Sequence, residues 1–329
     1  MAYGTINVDT VTTSTQGGVL GAGNASTMKN RIINGAMVID QRNAGASIAT
    51  PNGYTLDRFR VNQTTTGKLT AQQNQGSVTP PVGFSNYLGV TSSSAYVVSA
   101  GDAYWIDQAI EGFNTADLAW GTANAKTITL SFPVYSSLTG TFGGALRNSA
   151  SNRSYPFTFS IPVANTWTNI SVTIAGDTTG TWVGATNGVG VYVSWGLGVG
   201  STYNGTAGAW SAGNYISATG ATSVVGTSGA TFYITGVQLE VGSSATGFEY
   251  RQYGTELALC QRYYQATTGI AVPVVINIAA FVNLPVSMRA SPTITSTNGT
   301  FNVLSTTSIY QSVNGSGYAG TSLTLSAEL

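Results

Sequence analysis

The sequence predicts an all-β protein: a jelly-roll β-sandwich with an N-terminal extended arm, a short connecting helix and a small C-terminal β domain. Three observations lead there. Apolar residues alternate with period two in many short segments. Glycine punctuates them, at 41 of 329 residues. A helical period is confined to one short stretch.

Residues 1–28 scatter Ile6, Val8, Val11, Val19 and Leu20 among Thr, Ser and Gly. Such a segment buries too little to fold alone, so it reads as an arm that orders against a partner. Residues 29–254 hold the strand candidates of the sandwich: 31–40, 54–63, 68–73, 87–98, 104–111, 127–134, 155–163, 168–175, 188–197 and 231–241. Ile128, Leu130, Phe132 and Val134 alternate with polar residues, and so do Tyr155, Phe157, Phe159, Ile161 and Val163. Ile170, Val172 and Ile174 repeat the pattern, as do Val189, Val191, Val193 and Trp195. Alternation with a polar outer face means one buried face per sheet. Pro156 and Pro162 place their segment at a sheet edge or divide it.

The segment 231–241 changes phase. Phe232 and Ile234 keep period two, and Val237, Leu239 and Val241 keep it one residue out of step, with Gly236 at the change. One extra residue in a β-bulge produces that shift. Residues 255–265 then read as the connecting helix. Thr255 is its N-cap, Glu256 and Arg262 suit the helix dipole, and Leu257, Cys260 and Tyr264 share one face. Residues 266–329 hold a second β unit, with Val274, Ile276, Ile278, Ala280, Val282 and Leu284 alternating. A unit so small hides little of its own apolar surface, which predicts contact with copies of itself in a homotrimer.

Two segments carry a resemblance. TGVQLEVGSSATGFEYRQYGTELALCQRYYQ (235–265) resembles the closing segment of structural proteins of tailed bacteriophages. Most of these are tail-fibre or receptor-binding proteins with a carbohydrate-binding-module-like jelly roll. MKNRIINGAMVIDQRNAGAS (28–47) and YTLDRF (54–59) are similar to a second segment of the same family. The resemblance implies a virion protein and is not specific to one ligand. Other virion tail proteins are the expected partners of residues 1–28, and a host-surface glycan is the ligand expected of a tail fibre. It brings no catalytic residues.

Composition narrows the chemistry. Asp, Glu, Lys and Arg make up 7% of the chain, with twelve basic and twelve acidic residues. Ordinary domains carry about 25%. Nucleic acid is therefore not an expected partner, since phosphate binding needs clustered Lys and Arg. With no histidine, Ser-His-Asp and Cys-His catalysis and His-dependent metal sites are excluded. The single cysteine, Cys260, forms no disulfide within the chain and is expected to be buried. The first residues lack the basic and apolar regions of a secretory signal. The apolar run 270–286 is broken by Pro273, Asn277, Asn283 and Pro285 and is not expected to enter a membrane. Release by lysis inside a virion fits both features.

No motif pairs two carboxylates for glycoside hydrolysis, and Asp102, Asp107, Glu111 and Asp117 lack the spacing of a calcium loop. The expectation is no enzyme, no metal and no cofactor. The pair Asp57-Arg58 is expected to be a structural ion pair. Trp167, Trp182 and Trp195 are expected in the core.

Glycan recognition is expected to centre on the loop 196–217, through Tyr203, Asn204, Trp210, Asn214 and Tyr215. Sugars stack on aromatic rings and hydrogen-bond to amides, and loops on a rigid scaffold carry binding. The competing reading of Trp210 is a plug over the end of the sandwich. At the level of function, the alternative to a glycan-binding tail fibre is a purely architectural virion component, a head decoration or a fibre-to-baseplate connector.

Overall fold

Alternation in the sequence becomes two facing sheets in the computed structural model, which describes residues 29–270, 280–297, 299–311 and 321–329. The arm and most of the 274–284 alternation lie outside the described residues. The strands in chain order are β1 (Gly53–Leu56), β2 (Phe59–Gln63), β3 (Leu69–Gln73), β4 (Leu88–Ser92), β5 (Ala103–Glu111), β6 (Ile128–Ser136), β7 (Gly140–Arg147), β8 (Arg153–Ile161), β9 (Thr168–Ile174) and β10 (Val189–Val199). Short pairings β11 (Asn204–Gly205), β12 (Ser211–Ala212) and β13 (Ser217–Ala218) follow, then β14 (Thr231–Ile234) and β15 (Gln238–Val241).

The first sheet runs β1-β2-β5-β10-β7-β8-β12. In the second, β6 pairs with β9 on one side and with β14 and β15 on the other, and β14 continues to β4 and β3. The chain is thus an all-β jelly-roll sandwich. Its core lies between the sheets, where Phe132 meets Phe159 and Trp195 edge-on at 5.2 and 5.6 Å. Trp195 is fully buried, as the period-two reading requires. Pro156 sits in β8, whose outer side carries only the two-residue β12, so the missing N–H costs no ladder bond.

The bulge is present. Ile234 stands opposite Val134, but Gln238 stands opposite Ser131, so one extra residue lies between β14 and β15. Gly236 adopts φ 56° there, the left-handed region that favours glycine. Phe232, Ile234, Val237 and Leu239 all end up buried despite the phase change.

Four local expectations are corrected. Segment 31–40 is not a strand but a strap, with Asn34 and Met37 at positive φ. Side-chain amides replace ladder partners along it. Asn30 Nδ2 donates to the Val237 carbonyl, Asn34 Nδ2 donates to the Ile39 and Asp57 carbonyls, and Gln108 both accepts from and donates to Ile33. Segment 54–63 is a hairpin of β1 and β2, turning at Asp57-Arg58. Those two residues do not pair with each other. Asp57 accepts from Gln41, and Arg58 pairs with Glu328. β7 has no counterpart among the predicted strands, because two glycines interrupt its alternation. Gly144 holds an inward position where a Cβ would lie 2.5 Å from the Phe157 ring. The helix, α1, spans Tyr253–Gln261, so Thr255 lies within its first turn and Tyr264 begins the next strand. Cys260 is buried as expected, with Ile33, Ile39 and Tyr263.

The two segments that carry the family resemblance are clasped together. Lys29 donates to the Gly247 carbonyl, the Asn30 N–H to Glu249, and Arg251 to the Ile32 carbonyl. The Asn34 N–H donates to Glu256 of α1. Beyond α1 come β16 (Tyr264–Ile270), β17 (Ala280–Asn283), β18 (Thr293–Ser296), β19 (Phe301–Ser305), β20 (Ser308–Gln311) and β21 (Thr321–Ser326). They form two three-stranded sheets, β16-β21-β18 and β17-β20-β19, around Met288, Phe301, Ile309, Leu323 and Leu325.

Candidate functional site

The outer face of the second sheet is where side chains remain uncommitted. On β6 the residues turned away from the core are Thr129, Ser131, Pro133 and Tyr135. Across the ladder on β9, Thr129, Ser131 and Pro133 face Thr173, Ser171 and Asn169. Asn169, Ser171 and Thr173 are exposed. A cleft of about 270 Å³ opens on this face. Ser131, Asn169 and Ser171 line it together with Phe84, Pro133, Phe248, Ala245 and Thr246.

The bulge builds the aromatic wall. At Gly236 the chain turns away from β6, and the space a Cβ would fill is taken by the Phe84 ring, 2.5 Å from that position, and by Pro133 at 2.9 Å. Phe84 packs against Phe248 at 5.1 Å and Tyr250 at 5.7 Å, and those two rings lie 4.9 Å apart. Two residues further along β6 and toward the start of β9, Tyr135 and Trp167 extend the aromatic surface at 5.5 Å. Tyr135 stacks on Tyr233, which stacks on Tyr87. Tyr87 is fully buried under the 75–78 turn, its hydroxyl donating to the Gln75 carbonyl. The row is therefore anchored at one end and open at the other. Trp167 lies on this outer face rather than in the core, its indole N–H donating to the Thr79 carbonyl.

The cleft brings aromatic rings together with hydroxyl and amide groups. Among the described residues no hydrogen bond engages the side chains of Ser131, Asn169 or Ser171. Carboxylates nearby are held elsewhere. Glu240 accepts from the Thr246 N–H and hydroxyl, and Glu249 pairs with Arg251. The arrangement suits binding of a neutral polar ligand with apolar faces, rather than proton transfer.

The predicted loop lies on the other sheet. Asn204 and Gly205 pair in parallel with Ser217 and Ala218, closing the loop over the outer face of β7, β8 and β10. Tyr203 is half-buried, and its carbonyl accepts from the Ile216 N–H. Asn204 donates to the Val199 carbonyl. Tyr215 packs its ring on Gly205 and Gly213. Asn214 accepts from Arg147 at 2.7 Å. Trp210 is drawn out of this group. It meets Trp120, Trp182 and Tyr155 edge-on at 5.2–5.3 Å, and its indole N–H donates to the Ala175 carbonyl at 2.7 Å. Trp210 thus packs, partly buried, against the sandwich core. Phe84 and Phe248, the walls of the cleft, escaped the sequence reading. Phe84 follows two prolines and a glycine with no periodicity, and only the aromatic-charged run 248–251 hinted at the site.

No protein-family model matches the chain, and no curated protein matches it. Solved structures do show likeness. One is the enzymatically active domain of tailspike protein 4 of bacteriophage CBA120, at 12% identity and TM-score 0.36, over 65% of this chain and 22% of that one. The chain therefore spans about a fifth of that tailspike's length. Another is TmCBM61 in complex with β-1,4-galactotriose, at 7% identity and TM-score 0.32, over 65% of this chain and 99% of that one. A third is the family 11 carbohydrate-binding module of Clostridium thermocellum in complex with a β-1,3-1,4-mixed-linked tetrasaccharide, at 8% identity and TM-score 0.30, over 60% and 95%.

Proposed function

We propose that this chain is a structural protein of a tailed-bacteriophage virion, a tail fibre that binds host-surface glycan through the cleft on the second sheet. The observation that carries the reading is the juxtaposition of the Phe84–Phe248 wall with the unengaged Ser131, Asn169 and Ser171. Sugar rings present C–H faces to aromatics and hydroxyls to amides, and the cleft supplies both. The virion context is supported by the two segments that resemble phage structural proteins. The protein acts by binding, without catalysis, cofactor or metal. Residues 1–28 attach it to other virion proteins, and three copies associate through the C-terminal β unit.

A glycan array tests the central claim. The wild-type chain should bind a subset of neutral oligosaccharides, and Phe248→Ala and Asn169→Ala should each weaken that binding at least tenfold. Binding unchanged by both substitutions removes the cleft from the function. Absence of binding to any glycan favours a purely architectural virion component.

A further inference from the structure

A second cluster, on the outer face of the first sheet, is used by nothing described so far. Asp107 stands there between Arg60 and Arg147. Arg60 takes it with two parallel hydrogen bonds, Nε at 2.7 Å and Nη2 at 2.8 Å. The Trp105 indole N–H adds a bond at 2.9 Å and Asn62 one at 3.3 Å. The carboxylate is thereby saturated, and Arg147 reaches it only at 3.9 Å through Nη2.

Arg147 is left under-compensated. Two guanidiniums share one carboxylate, so the cluster carries an excess positive charge. Its Nη1 donates to Asn214, but its buried Nε has no partner among the described residues. Its side chain is 8% exposed. The edge left without a hydrogen bond is thus Nε with Nη2, whose only carboxylate is Asp107 at 3.9 Å; it is the pair of parallel donors that fits a carboxylate in the bidentate manner. The Ser194 hydroxyl, opposite Asp107 on β10 and likewise fully buried, also lacks a partner among the described residues. Burial pulls the Arg147 guanidinium below its ordinary pKa, against the raising effect of Asp107.

We propose that this cluster is a second ligand site, taking the carboxylate of an acidic sugar, a uronate or comparable sugar acid, on the Nε–Nη2 edge of Arg147. The rim selects a sugar over a free anion. Tyr192 lies 5.3 Å from both guanidiniums, and Tyr192, Trp105, Asn62 and Asn214 are half-buried around the site. They provide ring faces and amides for the rest of a pyranose. Asn214, one of the loop residues predicted from sequence, thereby joins a site, though not the neutral cleft.

Calorimetric titration of the full chain with digalacturonate, its uncharged counterpart galactobiose, and acetate tests the proposal. Digalacturonate should bind saturably and at least tenfold more tightly than galactobiose, with no saturable binding of acetate in the same range. Arg147→Gln should abolish the preference, Arg147→Lys should restore only part of it, and Phe248→Ala should leave it intact. Should Arg147→Gln fail to fold, Ser194→Ala removes only an unpaired hydroxyl and should weaken digalacturonate severalfold. Equal binding of both disaccharides overturns the proposal, as does a preference that survives Arg147→Gln or, where that variant fails to fold, Ser194→Ala. Acetate binding as tightly as digalacturonate reduces the cluster to a free-anion site and rejects the sugar. Loss with Phe248→Ala alone assigns the binding to the cleft on the second sheet.

Discussion

At Asp57 a single carboxyl couples stability to pH. The residue turns the β1–β2 hairpin and is fully buried, accepting from the Gln41 N–H and side-chain amide. Burial raises its pKa from 3.8 to about 6 in the folded protein, against the lowering effect of those bonds. The folded state therefore holds the proton more firmly than the unfolded chain. Below the unfolded pKa both states are protonated and no penalty exists. Between about pH 4 and pH 6 the penalty grows, and above pH 6 it is complete, on the order of 3 kcal/mol. Asp57→Asn should flatten this pH dependence: denaturant midpoints of the variant should fall less than those of the wild type between pH 4 and pH 7. Parallel curves would show that the carboxyl titrates normally. Trp210 offers a second test at this scale. Its ring is clasped by Trp120, Trp182 and Tyr155. Trp210→Ala should cost about 3–5 kcal/mol, the usual loss for emptying an aromatic site, with little change in glycan affinity. A stable variant that no longer binds glycan would return Trp210 to the role of ligand platform.

Among the elements, the bulge between β14 and β15 joins fold to site, because the turn at Gly236 is what admits Phe84 and Pro133 to the cleft wall. Gly236→Ala places a Cβ in a left-handed conformation, costing roughly 1–2 kcal/mol, and forces the Phe84 ring aside. Melting temperature and glycan affinity should drop together. Full affinity in a destabilised variant would show that Phe84 is not part of the binding wall. The bulge was legible in the sequence because a one-residue slip inverts the burial pattern, and the inversion is visible between Ile234 and Val237. β7 was not legible, since Gly143 and Gly144 remove the side chains that would mark its faces, and they do so because partners on both sides occupy that space. The 31–40 strap misread as a strand because its apolar residues are buried as a strand's would be. The amides of Asn30, Asn34 and Gln108 distinguish it, Asn30 and Gln108 through partners far away in sequence and Asn34 through Ile39 and Asp57. The cleft was illegible for the same reason: Phe84, Asn169 and Phe248 come from three separate segments, and no local pattern unites them.

For the whole molecule, the prediction turns on how the C-terminal unit is completed. Its two sheets enclose a core of few residues, while Phe281 is 65% and Leu304 57% exposed. Phe281 lies 6.3 Å from Tyr310 across the β17–β20 ladder, so two aromatic rings stand together on that sheet. Large exposed apolar side chains on so small a unit are the kind of surface that association covers. Three copies are the arrangement expected at the tip of a symmetric fibre, and light scattering of the full chain should give three times the mass of 33.9 kDa. Replacing Phe281 and Leu304 together by serine should yield a monomer whose sandwich keeps its near-ultraviolet circular dichroism, since neither side chain reaches the main core. A wild-type chain that stays monomeric at micromolar concentration would reject the trimer. Deleting residues 1–28 separates the two ends of the molecule. The shortened chain should still form trimers and bind glycan, yet fail to enter particles. Normal incorporation would show that the arm is not the attachment segment. Loss of trimers would place the arm in the subunit interface instead.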